Sequence, residues 1–78
     1  MKTTKYFEAL KKRPDRSIIK DEWILRVVNQ PEGEQIQSDG RIRRWARIDE
    51  AGGKYLRVIF LPDAETIHNA FFDRSYKP

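Results

Sequence analysis

The fold turns on one stretch, Arg41-Ile42-Arg43-Arg44-Trp45-Ala46-Arg47-Ile48, then Asp49-Glu50-Ala51-Gly52-Gly53, then Lys54-Tyr55-Leu56-Arg57-Val58-Ile59-Phe60-Leu61. Apolar residues recur at every second position on both sides of the glycines, the period of a pleated strand rather than of a helix. The stretch reads as two strands, Arg41–Ile48 and Lys54–Leu61, joined by an acidic, glycine-rich loop. Alternation also sorts the side chains. Ile42, Ala46 and Ile48 share a face with Arg44, and Leu56, Val58 and Phe60 share a face of the next strand. Those sets form the natural core side. The opposite side then gathers Arg43, Trp45 and Arg47 with Tyr55 and Arg57.

Working outward, Asp39-Gly40 is a dipeptide favoured in tight hairpins, so a short strand over Glu34–Ser38, around a lone Ile36, precedes it. Pro62-Asp63-Ala64-Glu65 reads as a turn into a last strand, Thr66–Asp73. There Ile67, Asn69, Phe71 and Asp73 alternate with Thr66, His68, Ala70 and Phe72. Lys54–Leu61, the most apolar strand, is expected at the centre of the sheet. Arg74–Pro78 is expected to be frayed or lightly docked.

Upstream the period changes. Ile19, Trp23 and Val27, with Ile24 and Val28, recur at i+4, which predicts a helix over 18–29 capped by Ser17 and closed by Asn29-Gln30-Pro31. Arg13-Pro14-Asp15-Arg16 reads as a turn. Residues 2–13 fit either a short helix with Tyr6, Phe7 and Leu10 on one side, or a strand over Thr3–Phe7 leading into a helix. The expected architecture is a single α+β domain over 1–78, with one or two N-terminal helices on one face of a three- to four-stranded antiparallel meander.

Composition narrows the chemistry. The chain of 78 residues suits one small domain. It has no cysteine, which removes disulfide scaffolds, thiolate zinc sites and thiol catalysis. His68 is the single histidine, so a metal site with two histidines from one chain is excluded. No metal or other cofactor is expected. The longest apolar run, Val58–Leu61, falls far short of the roughly 20 residues of a membrane helix. Met1–Arg13 has no secretory apolar core, and the expected location is cytoplasmic with no membrane partner.

Sixteen Lys and Arg against twelve Asp and Glu give a net charge of +4. Arg41, Arg43, Arg44 and Arg47 fall in seven residues that contain no acid, which suggests a basic surface able to meet phosphate. Arginines interleaved with aromatics on one sheet face suit RNA, guanidinium meeting phosphate and rings stacking on unpaired bases. The same residues also suit cation–π packing, with arginine stems covering Trp45. For phosphodiester cleavage, His68 is the candidate acid or base and Arg57 the phosphate clamp. Tyr55 or Tyr76 is an alternative proton donor, and Glu50 and Asp73 are carboxylates able to orient His68. Gly52-Gly53 lacks the Lys-Ser/Thr of a phosphate loop, and no metal loop is recognisable.

Arg13-Pro14-Asp15-Arg16, Glu22-Trp23-Ile24, Gly40-Arg41-Ile42-Arg43-Arg44-Trp45, Tyr55-Leu56-Arg57-Val58-Ile59 and His68-Asn69-Ala70-Phe71-Phe72-Asp73-Arg74 occur in that order. The whole chain resembles a family of short bacterial proteins, frequent in cyanobacteria, and more distantly the BrnT and RelE-type toxins of toxin–antitoxin systems. The resemblance implies a sheet like that of microbial ribonucleases, an mRNA interferase (endoribonuclease) activity on RNA, and an antitoxin protein as partner. By position it implies phosphate binding by Arg57, and more loosely by Arg13 and Arg16, with proton transfer at His68. The long paired helices and the full catalytic tail of the RelE type are not evident here. The alternative is a non-catalytic interaction module that forms a homodimer through an edge strand.

Overall fold

A computed structural model describes residues 1–78. Three short helices, α1 (Lys5–Leu10), α2 (Pro14–Ser17) and α3 (Asp21–Asn29), precede four strands, β1 (Gly33–Ile36), β2 (Ile42–Ile48), β3 (Lys54–Phe60) and β4 (Ile67–Phe72). The strands pair antiparallel in the order β1-β2-β3-β4, the expected α+β meander at its full four strands. A 3-10 turn over Asp49–Ala51 and two left-handed glycines, Gly52 and Gly53, close the β2–β3 connection. The first hairpin uses a three-residue loop, Ser38–Gly40. It is closed by the Gln37 amide donating to the Arg41 carbonyl, with Gly40 at φ +89°.

The helix begins later than the sequence suggests. Ser17 ends α2 and donates its hydroxyl proton to the Pro14 carbonyl, so it caps nothing downstream. α3 starts at Asp21, with Asp21 and Glu22 in its first turn against the positive end of the dipole. Ile19 is buried ahead of it. At the N-terminus residues 5–10 are helical, with Phe7 and Leu10 buried and Tyr6 exposed, so no strand runs over Thr3–Phe7. Thr3 makes a single parallel bridge to Ile67, and Thr4 then caps α1 by accepting from the Phe7 amide at 3.0 Å.

Trp23, Ile24 and Val27 of α3 and Phe7 of α1 pack on Ala46, Ile48, Leu56, Val58, Phe60, Ile67 and Ala70. Each such large side chain contributes about 1.5–3 kcal/mol by leaving water. Strict alternation fails at one place. The β3–β4 register shifts between Ile59 and Phe60, so Ile59 opposes Asn69 while Phe60 opposes Ile67. The extra residue is His68. This bulge lets Ile67, Ala70 and Phe72 all face the core side, where unbroken alternation would have separated Ile67 from the other two.

Asp63 organises the β3–β4 turn by accepting from the Glu65 and Thr66 amides and the Thr66 hydroxyl, which hold its pKa down at about 2. Ala64 in that turn has φ +59°, a left-handed conformation that costs a residue with a Cβ about 1–2 kcal/mol. Ala64→Gly should therefore raise the unfolding free energy by roughly 0.5–1 kcal/mol, the gain being trimmed by glycine's extra unfolded freedom. Urea denaturation checks this.

Candidate functional site

The sheet face away from α3 is not bare. The C-terminal tail turns at Asp73 and crosses it. Tyr76 stacks on Trp45 with ring centroids 4.6 Å apart and planes 14° apart, and it also meets Tyr55 at 5.1 Å. Its hydroxyl reaches Gly33 on β1, where any Cβ would collide with it. The tail is therefore docked across the sheet, the second of the two expectations for it, and is not frayed at Tyr76. Trp45 is only 5% exposed as a result, so its ring is stacked inside the protein rather than offered to a base.

One carboxylate holds this arrangement. Asp73, 9% exposed, accepts through Oδ2 from the Trp45 indole N–H at 3.0 Å and from Arg57 Nε at 2.9 Å and Nη2 at 2.5 Å. Through Oδ1 it accepts from the Ser75 amide and hydroxyl at 3.0 and 2.7 Å. Burial alone would raise its pKa. The hydrogen bonds from Trp45, Ser75 and Arg57 outweigh that and hold it well below the usual carboxylate range. The Arg57 guanidinium lies 5.3 Å from the Trp45 ring centre and 5.0 Å from that of Phe71, and Arg16 lies 5.3 Å from Phe71. Cations and rings thus alternate across the face from Arg16 through Phe71 and Arg57 to Trp45, where the Tyr76 ring ends the row.

Beside Tyr76 opens a pocket of about 460 Å3. Arg43, Arg57 and Lys77 supply its cations, and Gln35, Trp45, Ser75 and Tyr76 complete most of its wall. Its two acids are neutralised, Glu34 by Arg44 at 2.6 Å and Asp73 by Arg57. Arg43 is held differently. It donates to Gln35 at 3.5 Å, and the Gln37 amide lies against it, accepting from Arg43 Nε at 2.7 Å when its oxygen and nitrogen are assigned to match their hydrogen-bonding neighbours. Neutral amides orient this guanidinium without cancelling its charge. Arg43 and Lys77 therefore give the pocket a net positive field, suited to an anion.

The remaining predicted residues are scattered. His68 does not join Arg57, since Arg57 opposes Phe71 and His68 lies three residues away along β4, about 10 Å. The Thr4 hydroxyl already accepts from Phe7, so its proton is free for His68 Nδ1, 3.1 Å away, and the imidazole stacks on Tyr6 at 4.8 Å. Desolvation first, then the nearby Arg41 charge, lowers the His68 pKa. His68 thus fastens α1 to β4, and neither Glu50 nor Asp73 orients it. Glu50 binds Arg26 through both oxygens at 2.9 and 2.7 Å. Arg47 is paired with Asp49 at 3.0 Å. Arg41 lies 3.8 Å from Asp39, so of the four clustered arginines only Arg43 lacks a carboxylate partner. Arg13 is exposed at the start of α2, and Arg16 binds Asn69 and the Ala70 carbonyl on the β4 edge. Tyr55 lies beside Tyr76, outside the pocket wall. Lys77 and Gln35 belong to the pocket and carried no signal in the sequence.

No group of three or more His, Asp or Glu side chains converges to hold a metal ion. No helix is long and apolar enough to cross a membrane. No protein-family description, no curated protein and no solved structure matches this chain.

Asp73→Ala should cost about 3 kcal/mol, the scale for stripping one partner from a buried ion pair. Because the folded pKa of Asp73 is depressed, its stabilisation is complete above about pH 4 and is lost as pH falls below that. Asp73→Asn should flatten that acid limb, followed by Trp fluorescence. Gly33→Ala should destabilise by about 1–3 kcal/mol through collision with Tyr76. In thermal melts Tyr76→Phe should recover part of that loss in the double variant.

Proposed function

We propose that the chain is a toxin-like RNA-binding domain whose site is the pocket beside Tyr76, with backbone phosphate held by Arg43 and Lys77. The observation that carries this reading is Arg43, fixed by Gln35 and Gln37 with its charge left uncompensated in a pocket of about 460 Å3. The pocket supports binding more strongly than catalysis. Its lining holds no histidine, because the one in the chain is built into the α1–β4 junction. Arg57 acts here as the fixed wall between Trp45 and Phe71, with its charge met by Asp73.

A second reading, an interaction module pairing through a sheet edge, has support on one edge only. Ile36 on β1 is 66% exposed, whereas the β4 edge is occupied by Lys2–Thr4 and Arg16. Sedimentation equilibrium separates the readings, since pairing through β1 makes Ile36→Lys monomeric.

Fluorescence anisotropy with a single-stranded RNA tests the first reading. Wild type should bind with affinity that falls steeply with salt. Arg43→Ala should weaken binding about tenfold, roughly 1.4 kcal/mol, without lowering the melting temperature. His68→Ala should leave RNA binding unchanged. Equal binding by wild type and Arg43→Ala would contradict the assignment.

A further inference from the structure

The pocket beside Tyr76 is walled on one side and continued on the other. Gly33, Trp45, Arg57 and Phe71 oppose one another in a row across the four strands. The tail crosses that row from Asp73, just past β4, to Tyr76, whose ring lies on Trp45 and whose hydroxyl sits over Gly33. Gln35 and Arg43 form the next row on the same face, toward the β1–β2 hairpin. There a second depression, of about 260 Å3, is lined by Gln35, Ile36, Gln37, Ser38, Asp39 and Arg43. Gln35 and Arg43 line both spaces, so the two meet at Arg43. A ligand on Arg43 can extend toward the hairpin, and on the other side it meets the tail.

Charge narrows what that ligand is. Arg57 answers Asp73, and Arg44 answers Glu34. Arg43 and Lys77 have no carboxylate partner, so two positive charges of the pocket are unmet. Of the five N–H groups of Arg43, Gln37 meets two and Gln35 one, which leaves two for an anion. A linkage inside an RNA chain brings one negative charge and continues on both sides of its phosphorus. A phosphate monoester at a chain end brings about 1.5–2 negative charges near neutrality and continues on one side only. The end fits both the charge and the wall.

We infer that the pocket takes the phosphorylated end of an RNA, its terminal phosphate between Arg43 and Lys77 and its first ribose over the hairpin depression, where Ser38 and Asp39 offer partners to the sugar hydroxyls. The inference rests on the RNA reading of this pocket and narrows it to a phosphate monoester.

The test uses the intact chain and an oligoadenylate of about nine nucleotides, a length usual for single-stranded sites. It carries fluorescein at one end and either phosphate or hydroxyl at the other, in both orientations. At about pH 7.5 wild type should bind the phosphate-ended form about tenfold more tightly than the hydroxyl-ended form in at least one orientation. Arg43→Ala and Lys77→Ala should each bring that ratio down to about two. Near pH 5 the ratio should fall likewise, because the monoester takes up a proton with a pKa of about 6 and keeps a single charge. A ratio of one in both orientations, with Arg43→Ala weakening every form, overturns the inference and leaves the RNA reading standing on an internal phosphate. A ratio that survives unchanged in Lys77→Ala and at pH 5 also overturns it. If wild type binds none of these RNAs, the RNA reading fails and the inference with it. If adenosine monophosphate competes as strongly as unlabelled phosphate-ended RNA, the pocket belongs to a free nucleotide, and the assignment to an RNA end is wrong.

Discussion

The second face of this sheet depends on the Asp73 carboxylate. Four donor groups from three residues converge on a largely buried anion: the Trp45 indole, the Arg57 guanidinium, and the amide and hydroxyl of Ser75. With that anion in place Arg57 is fixed between two rings, Trp45 accepts Tyr76 on its face, and the tail reaches Gly33. Without it, a buried guanidinium and an indole N–H would be left unpaired on a domain whose whole stability is on the order of 4–12 kcal/mol. A four-stranded sheet with helices on one side only would otherwise expose Trp45, Tyr55 and Phe71 to water. The tail serves as the second layer that three short helices cannot supply.

Charge pairing decides what remains available for a ligand. Lys2, Lys11, Arg16, Arg26, Arg41, Arg44, Arg47 and Arg57 all lie within 4.0 Å of a carboxylate. Apart from the buried Arg57–Asp73 pair, these exposed pairs contribute little to stability, roughly 0–1 kcal/mol each. They matter more by removing net charge from their surroundings. The uncompensated cations near concave surface are Arg43 and Lys77 beside Tyr76, and Lys54 and Arg74 beside Phe71. Arg44 shows how local the sorting is. Its stem lies on the core side of β2, and its guanidinium escapes burial by reaching the Val28 carbonyl at the end of α3, Glu34, and the Phe60 ring.

Much of the fold was legible because it rests on short-range pattern. The alternation in Arg41–Ile48 and Lys54–Leu61 gave the two central strands, their core faces and the shared face of Trp45 and Arg57, while the register that sets those two opposite each other came only with the structure. What escaped depends on contacts between distant positions. The bulge at His68 reflects the need to bring Ile67, Ala70 and Phe72 to one side, which no local period reveals. Ser17 is a good cap residue by type, but the turn begun at Pro14 takes it into α2 first. The candidate site was half legible. Arg43, Trp45, Tyr55 and Arg57 do share a face, but partners far along the chain convert Trp45 and Arg57 from ligand-facing groups into packed ones. The acid-free run from Arg41 to Arg47 looked uniformly basic because its counterions, Glu34, Asp39 and Asp49, lie outside that window.

The central claim is that the tail-covered face, through its uncompensated Arg43, is where this protein meets RNA. A 1H–15N titration of the arginine Nε–H and tryptophan indole resonances with single-stranded RNA tests it most directly. The account predicts saturable shifts of Arg43 and Arg57 Nε–H and of the Trp45 indole, with Trp23 unmoved under the helices. Shifts confined to Trp23 and the helical arginines Arg16 and Arg26, or no shifts at any RNA concentration, would contradict it.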